Sequence, residues 1–227
     1  MDGSGFSDVD WQHLNPARGD ASPRAGTLWG DRAGTVATGF LARFTEGFSS
    51  PPHIHNVTYR AVVIRGLVHN DGPNAEEMWM GPGSFWTQPS GAVHITSANA
   101  ADNIAYVEID SGPYLVWPPA QATATDEAPI NVDASNLVWV APSASSESIR
   151  VAYLWGDPSG DEPSARFVKL LPGTSGVLDT QSAVFRVVVV LGQVEHPSDE
   201  TPLDAGSYFD ADDAVPLSCA GDEAYST

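Results

Sequence analysis

The chain has 227 residues, enough for one large or two small domains with a sizeable core. Ten Lys and Arg stand against 29 Asp and Glu, a net charge of −19. That balance argues against a nucleic-acid or anionic-membrane partner, because phosphate binding needs clustered cations. The single cysteine, Cys219, excludes an intramolecular disulfide.

The N-terminal segment MDGSGFSDVDW is acidic and lacks the basic and apolar regions of a secretory signal, so a cytoplasmic location is expected. No apolar run approaches the roughly 18 residues of a spanning helix. The first motif along the chain is LWGD, Leu28–Asp31, which reads as a strand end with a tight turn. Next comes GFSSPPHIHNVTYRAVVIRG, Gly47 to Gly66. Alternation along a strand points His53 and His55 the same way, and puts His55, Val57 and Tyr59 on one face. A further segment, GPGSFWTQPSGAVH, runs from Gly81 to His94 and supplies a third histidine. Tyr59–Ile64, Ile104–Ile109, Val151–Leu154 and Phe185–Leu191 are rich in β-branched and aromatic residues and are punctuated by Gly, Pro, Asn and Asp. Amphipathic helices of about ten residues or more are absent, so a sandwich or barrel is expected.

The chain repeats itself. LWGD recurs at Leu154–Asp157, an offset of 126 residues. Held without a gap, that offset pairs Gly47 with Gly173, Arg60 with Arg186, Val62 with Val188 and Gly66 with Gly192. Two copies of one fold follow. The expected boundaries are 1–117 for the first copy, 118–129 for a Pro/Ala/Thr-rich linker and 130–227 for the second copy. The second copy is shorter after Gly206 and is expected to lack the counterpart of the strand Asn103–Asp110. It also loses the histidines: the repeat sets Asp179 opposite His53, Gln181 opposite His55 and Phe185 opposite Tyr59, and counting from Gly206 sets Leu217 opposite His94.

Gly47, His53, His55 and Gly66 match the first cupin motif, G-x5-H-x-H-x3,4-E-x6-G, in every position but the acid, which is Tyr59. Gly83, Pro89, Gly91 and His94 match the second, G-x5-P-x-G-x2-H-x3-N, with the terminal Asn displaced to Asn99. The chain therefore resembles a two-domain cupin: all-β, a tandem jelly-roll β-barrel with a degenerate second copy. The Leu-Trp-Gly-Asp lead-in is similar to that of ChrR-like cupins. The three-histidine pattern without an acid resembles the acetylacetone-cleaving dioxygenase type. That resemblance implies one divalent metal ion on His53, His55 and His94, Fe(II) ahead of Zn, Ni, Mn or Cu. Three neutral imidazoles leave the ion's charge uncompensated and coordination positions open, which suits an anionic chelator.

Tyr59 is the candidate catalytic side chain, as a hydrogen-bond donor to a bound oxygen or, with its pKa lowered beside a cation, as a base. The blander reading of Tyr59 is packing. His13, His69 and His196 read as surface residues, and Met78 and Met80 as core. Trp79, Phe85 and Trp86 read as barrel core or as the lining of an apolar pocket. Thr96 shares strand parity with His94 and is expected beside the ligands.

The function expected first is a dioxygenase acting on a diketone-like or carboxylate small molecule. A metal-dependent lyase or isomerase and a non-enzymatic sensor compete with it. No nucleic acid or membrane partner is expected, and the second copy could serve a homodimer interface.

Overall fold

The computed structural model describes residues 3–142, 148–178, 185–197, 201–211, 214–219 and 224–226. The chain forms two compact units, Val9–Asn136 and a second made of Met1–Asp8 with Leu137–Thr227. Strands dominate both. Helix among the described residues is confined to short 3-10 turns, and none is long and apolar enough to cross a membrane.

In the unit Val9–Asn136 the larger sheet runs Ile130–Val132, Phe85–Gln88, Tyr59–Arg65, Asn103–Ile109, Thr38–Phe44, Arg24–Trp29, Gln12–His13, antiparallel throughout. The central strands carry mostly apolar residues on both faces, as strands buried on both sides must. Opposing this sheet are two short pairs, Ile54–His55 with Val116–Trp117 and Val68–Asp71 with Ile95–Ala98. The core between them holds Phe40, Phe44, Tyr59, Val63, Met80 and Trp86. Ala61 lies directly across from Trp86 in the sheet, and a small residue there makes room for the indole.

The second unit repeats the strand order: Gly3–Ser4, Tyr208–Ala211, Phe185–Leu191, Ala224–Ser226, Ala165–Leu170, Ile149–Trp155. Ala224–Ser226 lies between Phe185–Leu191 and Ala165–Leu170, as Asn103–Ile109 lies between Tyr59–Arg65 and Thr38–Phe44. The strand expected to be missing is therefore supplied, in short form, by the C-terminal residues. The unit limits also differ from the sequence expectation of 1–117 and 130–227. Ile130–Val132 is an edge strand on Phe85–Gln88, so the first unit extends past the expected linker. Gly3–Ser4 pairs with Tyr208–Ala211, so the first residues of the chain belong to the second unit.

The LWGD repeat is a turn in both units. Gly30 and Gly156 have φ of 76° and 75°, a left-handed conformation that costs glycine least. The following aspartates cap the turn alike: Asp31 Oδ1 accepts from Ala33 N at 2.9 Å, and Asp157 Oδ1 from Ser159 N at 2.8 Å. A role held equally by both units is structural.

Three further expectations change. His69 and His196 are buried, not surface residues; His69 packs near Trp79 and His196 against Phe209. Leu217 is buried across from Gly176, the register that Thr96 holds opposite Ser50. Only three residues separate Tyr208–Ala211 from Val215–Cys219, against six between Phe85–Gln88 and Ile95–Ala98, so counting from Gly206 overshoots. Asp179 and Gln181 lie outside the described residues.

Candidate metal centre

His53, His55 and His94 converge, each offering a ring nitrogen within 4.8 Å of the others. His55 sits on the short strand Ile54–His55. His53 and His94 face each other across an antiparallel bridge, their backbones exchanging two hydrogen bonds of 3.0 Å. The spacing of the second motif explains how His94 arrives there. Gly91, at φ 75°, donates its N–H to the carbonyl of His55 at 2.9 Å. That turn brings the chain back so that His94 follows directly.

Each imidazole is anchored at Nδ1 on a backbone carbonyl: His53 on Pro51 at 2.9 Å, His55 on Leu115 at 3.0 Å, His94 on Ala92 at 3.2 Å. A carbonyl can only accept, so each Nδ1 carries the proton and each Nε2 presents its lone pair. Second partners of this kind fix tautomer and ring orientation in metal sites. Burial lowers the pKa of all three: His53 below its ordinary value, His55 well below the ordinary 6.5, and His94 down to about 3. Repulsion among the three imidazoles adds to the shift for His55 and His94. For His53 the cation Arg18 adds to it. Three neutral nitrogen donors within 4.8 Å of one another are a set that fits a borderline divalent ion.

Tyr59 is buried beside this cluster, its ring perpendicular to His55 with centroids 5.2 Å apart. Its hydroxyl donates to Asn70 Oδ1 at 2.9 Å and lies 3.4 Å from His94 Nε2. Burial pushes its pKa up to about 12, opposite to the lowering expected beside a cation. The protein on its own thus presents Tyr59 as a neutral hydroxyl rather than a base. The Trp86 indole N–H bears on the same phenol without meeting hydrogen-bond geometry, and Nε1 is buried without a partner. Thr96, placed by parity with His94, joins the same group, Oγ1 donating to Asn70 Oδ1 at 2.7 Å. Of the three aromatics near the second motif, Trp86 borders the site, 6.5 Å from Tyr59 between centroids. Trp79 packs near His69, and Phe85 points to the opposite face of its strand.

Sequence reasoning missed Tyr114. Its ring lies nearly flat on His55, centroids 4.4 Å apart and planes at 20°, and its hydroxyl is 3.1 Å from His55 Nε2. It follows the last long strand of the unit and belongs to neither motif, so only the fold brings it back. Asn70 and Gln88 were equally invisible. Both are polar residues in buried strands, a signal that alternation alone assigns to either face.

Among the described residues the cluster is made of histidines alone, with no carboxylate in it. The fold and a three-histidine cluster able to hold a metal ion define an all-β protein of the cupin fold. Its solved neighbours bear this out. A candidate dioxygenase of Nostoc punctiforme superposes with a TM-score of 0.72 at 14% identity, covering 99% of this chain and 80% of that one. The oxalate decarboxylase of Lactobacillus farciminis, a formate complex, gives 0.62 at 12% identity, covering 99% and 84%. AerE of Microcystis aeruginosa gives 0.59 at 9%, covering 96% and 94%. The chain belongs to the family DUF4437, a domain of unknown function, whose profile matches residues 4–224. No curated protein matches the sequence.

Proposed function

We propose that this chain is a metal-dependent cupin enzyme, a bicupin of the ChrR-like kind with its chemistry in one unit. His53, His55 and His94 hold one divalent ion through Nε2, with Fe(II) favoured over Zn, Ni, Mn or Cu. The reaction proposed is dioxygenation of a small chelating molecule. The observation that carries this reading is the anchoring of all three Nδ1 atoms on backbone carbonyls, which leaves three Nε2 lone pairs free in a cluster whose ring nitrogens lie within 4.8 Å of one another. When bound, the ion supplies Lewis acidity and, as iron, redox chemistry toward O2 and a chelated substrate.

The protein residues do the rest. Burial holds the imidazoles neutral and therefore able to ligate. Tyr59, proposed as the catalytic side chain, keeps its proton; the hydroxyl donates to Asn70 Oδ1 in the resting protein and turns from it to orient an oxygen of the bound substrate. The aromatic wall of Tyr59, Trp86 and Tyr114 limits water. The cationic field of Arg18 at His53 favours an anionic chelator, a carboxylate or a diketone enolate, over a neutral one. The three-histidine resemblance to the acetylacetone-cleaving type keeps the diketone enolate as the comparison substrate.

Elemental analysis of untagged protein beside His53→Ala tests the reading. About one transition metal per chain is expected, lost in the variant, with O2 consumed when a chelating carboxylate or diketone is added. Absence of metal after reconstitution overturns it.

A further inference from the structure

We propose that Tyr114 is a fourth protein donor to the metal, its phenol oxygen standing in for the acid that the first motif lacks. The inference rests on the three-histidine reading and extends it to a residue outside both motifs.

Three observations point to it. The first is distance. Tyr114 Oη lies 3.1 Å from His55 Nε2. Two donors about 2.0–2.1 Å from one ion and at roughly right angles are separated by about 3 Å. The second is the fate of the hydroxyl. Among the described residues its one hydrogen-bond partner is His55 Nε2. A metal on that nitrogen takes the lone pair and leaves the phenol with nothing to donate to. Tyr59 differs, since its hydroxyl keeps Asn70 Oδ1 at 2.9 Å whatever happens at His94. The third is construction. The loop holding Tyr114 is stitched to the ligand strand on both sides. Asn56 Nδ2 donates to Pro113 O at 2.9 Å, Leu115 N donates to Asn56 Oδ1 at 2.8 Å, and Leu115 O accepts from His55 Nδ1 at 3.0 Å. The ring is wedged between His55 and the edge of Phe40, 5.3 Å away. A side chain held this firmly needs little reorganisation to ligate.

Charge gives the motive. Three neutral imidazoles compensate none of a divalent ion's charge, and a phenolate compensates one unit. The O–H bond of Tyr114 breaks as the oxygen–metal bond forms, and the proton leaves to solvent.

The experiment is optical. Protein loaded anaerobically with Fe(II), checked for one iron per chain, is oxidised to Fe(III). A visible phenolate-to-iron charge-transfer band is expected in the wild type and in Tyr59→Phe, and is expected to vanish in Tyr114→Phe. The Tyr114→Phe protein keeps the stacked ring and should still bind zinc, about tenfold or more weakly. A band that survives Tyr114→Phe and disappears in Tyr59→Phe assigns the donor to Tyr59 and overturns the proposal. One bound iron with no band overturns it too while leaving the three-histidine site standing. A wild type that takes up no iron defeats the metal reading itself and the Tyr114 proposal with it.

Discussion

Gln88 and His94 share one acceptor: the carbonyl of Ala92 takes Gln88 Nε2–H at 3.2 Å and His94 Nδ1–H at 3.2 Å. Through that atom a network of amides reaches the ligand cluster. Gln88 Oε1 accepts from Asn70 Nδ2 at 3.0 Å, and Asn70 Oδ1 accepts from both Tyr59 and Thr96. Tyr59, with its proton on Asn70, then lies 3.4 Å from His94 Nε2. Asn70, Gln88 and His94 are each only 1% exposed, so every member depends on the others for its partners. The network fixes the tautomer of His94 at one end and the direction of the Tyr59 hydroxyl at the other.

Gln88→Leu breaks that network while keeping side-chain size. It leaves the Asn70 amide without its acceptor and the Ala92 carbonyl with one donor fewer. A loss of about 1–3 kcal/mol in unfolding free energy is expected. Metal affinity should fall about 10–100-fold, as for partners that orient a ligand. Urea unfolding and a zinc titration on the same variant check both. Unchanged affinity would mean that His94 is oriented by its own loop alone.

His53→Ala and His94→Ala should each abolish stoichiometric metal binding while the strands persist by circular dichroism. The fold does not hang on either ring, since the core of the unit is made elsewhere. Metal at about 100 times its dissociation constant should raise the unfolding free energy of the wild type by about 2.7 kcal/mol and that of either variant by nothing. Metal retained in both variants would show that the ligands are other residues. Asp179→Ala and Gln181→Ala, in the second repeat, should leave metal content unchanged.

Acid should weaken the apo-protein in a defined window. The unfolded imidazoles protonate near 6.5, whereas His94 resists down to about 3 and His55 well below 6.5. Between those limits the unfolded state binds more protons, so stability is full above about 6.5 and falls as pH drops toward 3. The slope approaches about 1.4 kcal/mol per pH unit for each imidazole. Denaturant midpoints measured from pH 7.5 to 4 should show this, with a shallower slope in His94→Gln. A curve flat to pH 4.5 in the wild type would contradict the buried neutral state of these rings.

Much of this was legible in the sequence, and for identifiable reasons. His53, His55 and His94 were found because strand parity and motif spacing are local properties, and the observed strands Tyr59–Arg65 and Phe185–Leu191 follow their β-branched runs. The LWGD turn was found because its glycine and capping aspartate lie next to each other. What stayed hidden depends on long-range pairing. Val116–Trp117 returns to Ile54–His55, and only that return brings Tyr114 onto His55. Ile130–Val132 was expected to open the second copy because its partner, Phe85–Gln88, lies far back in the chain. Ala224–Ser226 is too short to announce itself as a strand, yet it fills a central place between two others. The burial of His69 and His196 depends likewise on packing that no local pattern records.

Arg18 tests the charge preference of the site. It is exposed on the 3-10 turn Pro16–Ala21, and its charge is felt at His53. In a chain with ten basic residues against 29 acidic ones, a cation within reach of the ligand cluster counters a field that otherwise repels anions. Arg18→Ala should leave metal content unchanged, because it touches no ligand atom. It should weaken binding of an anionic chelator such as a small dicarboxylate by about two- to fivefold, the range of an exposed charge interaction. Salt should erase the difference: at about 1 M ionic strength the screening length is only about 3 Å, and wild type and variant should bind alike. A neutral chelator run beside it should show no difference at any salt. If the anion binds equally well to both proteins at low salt, Arg18 does not act on the substrate and the preference for an anionic chelator loses its support.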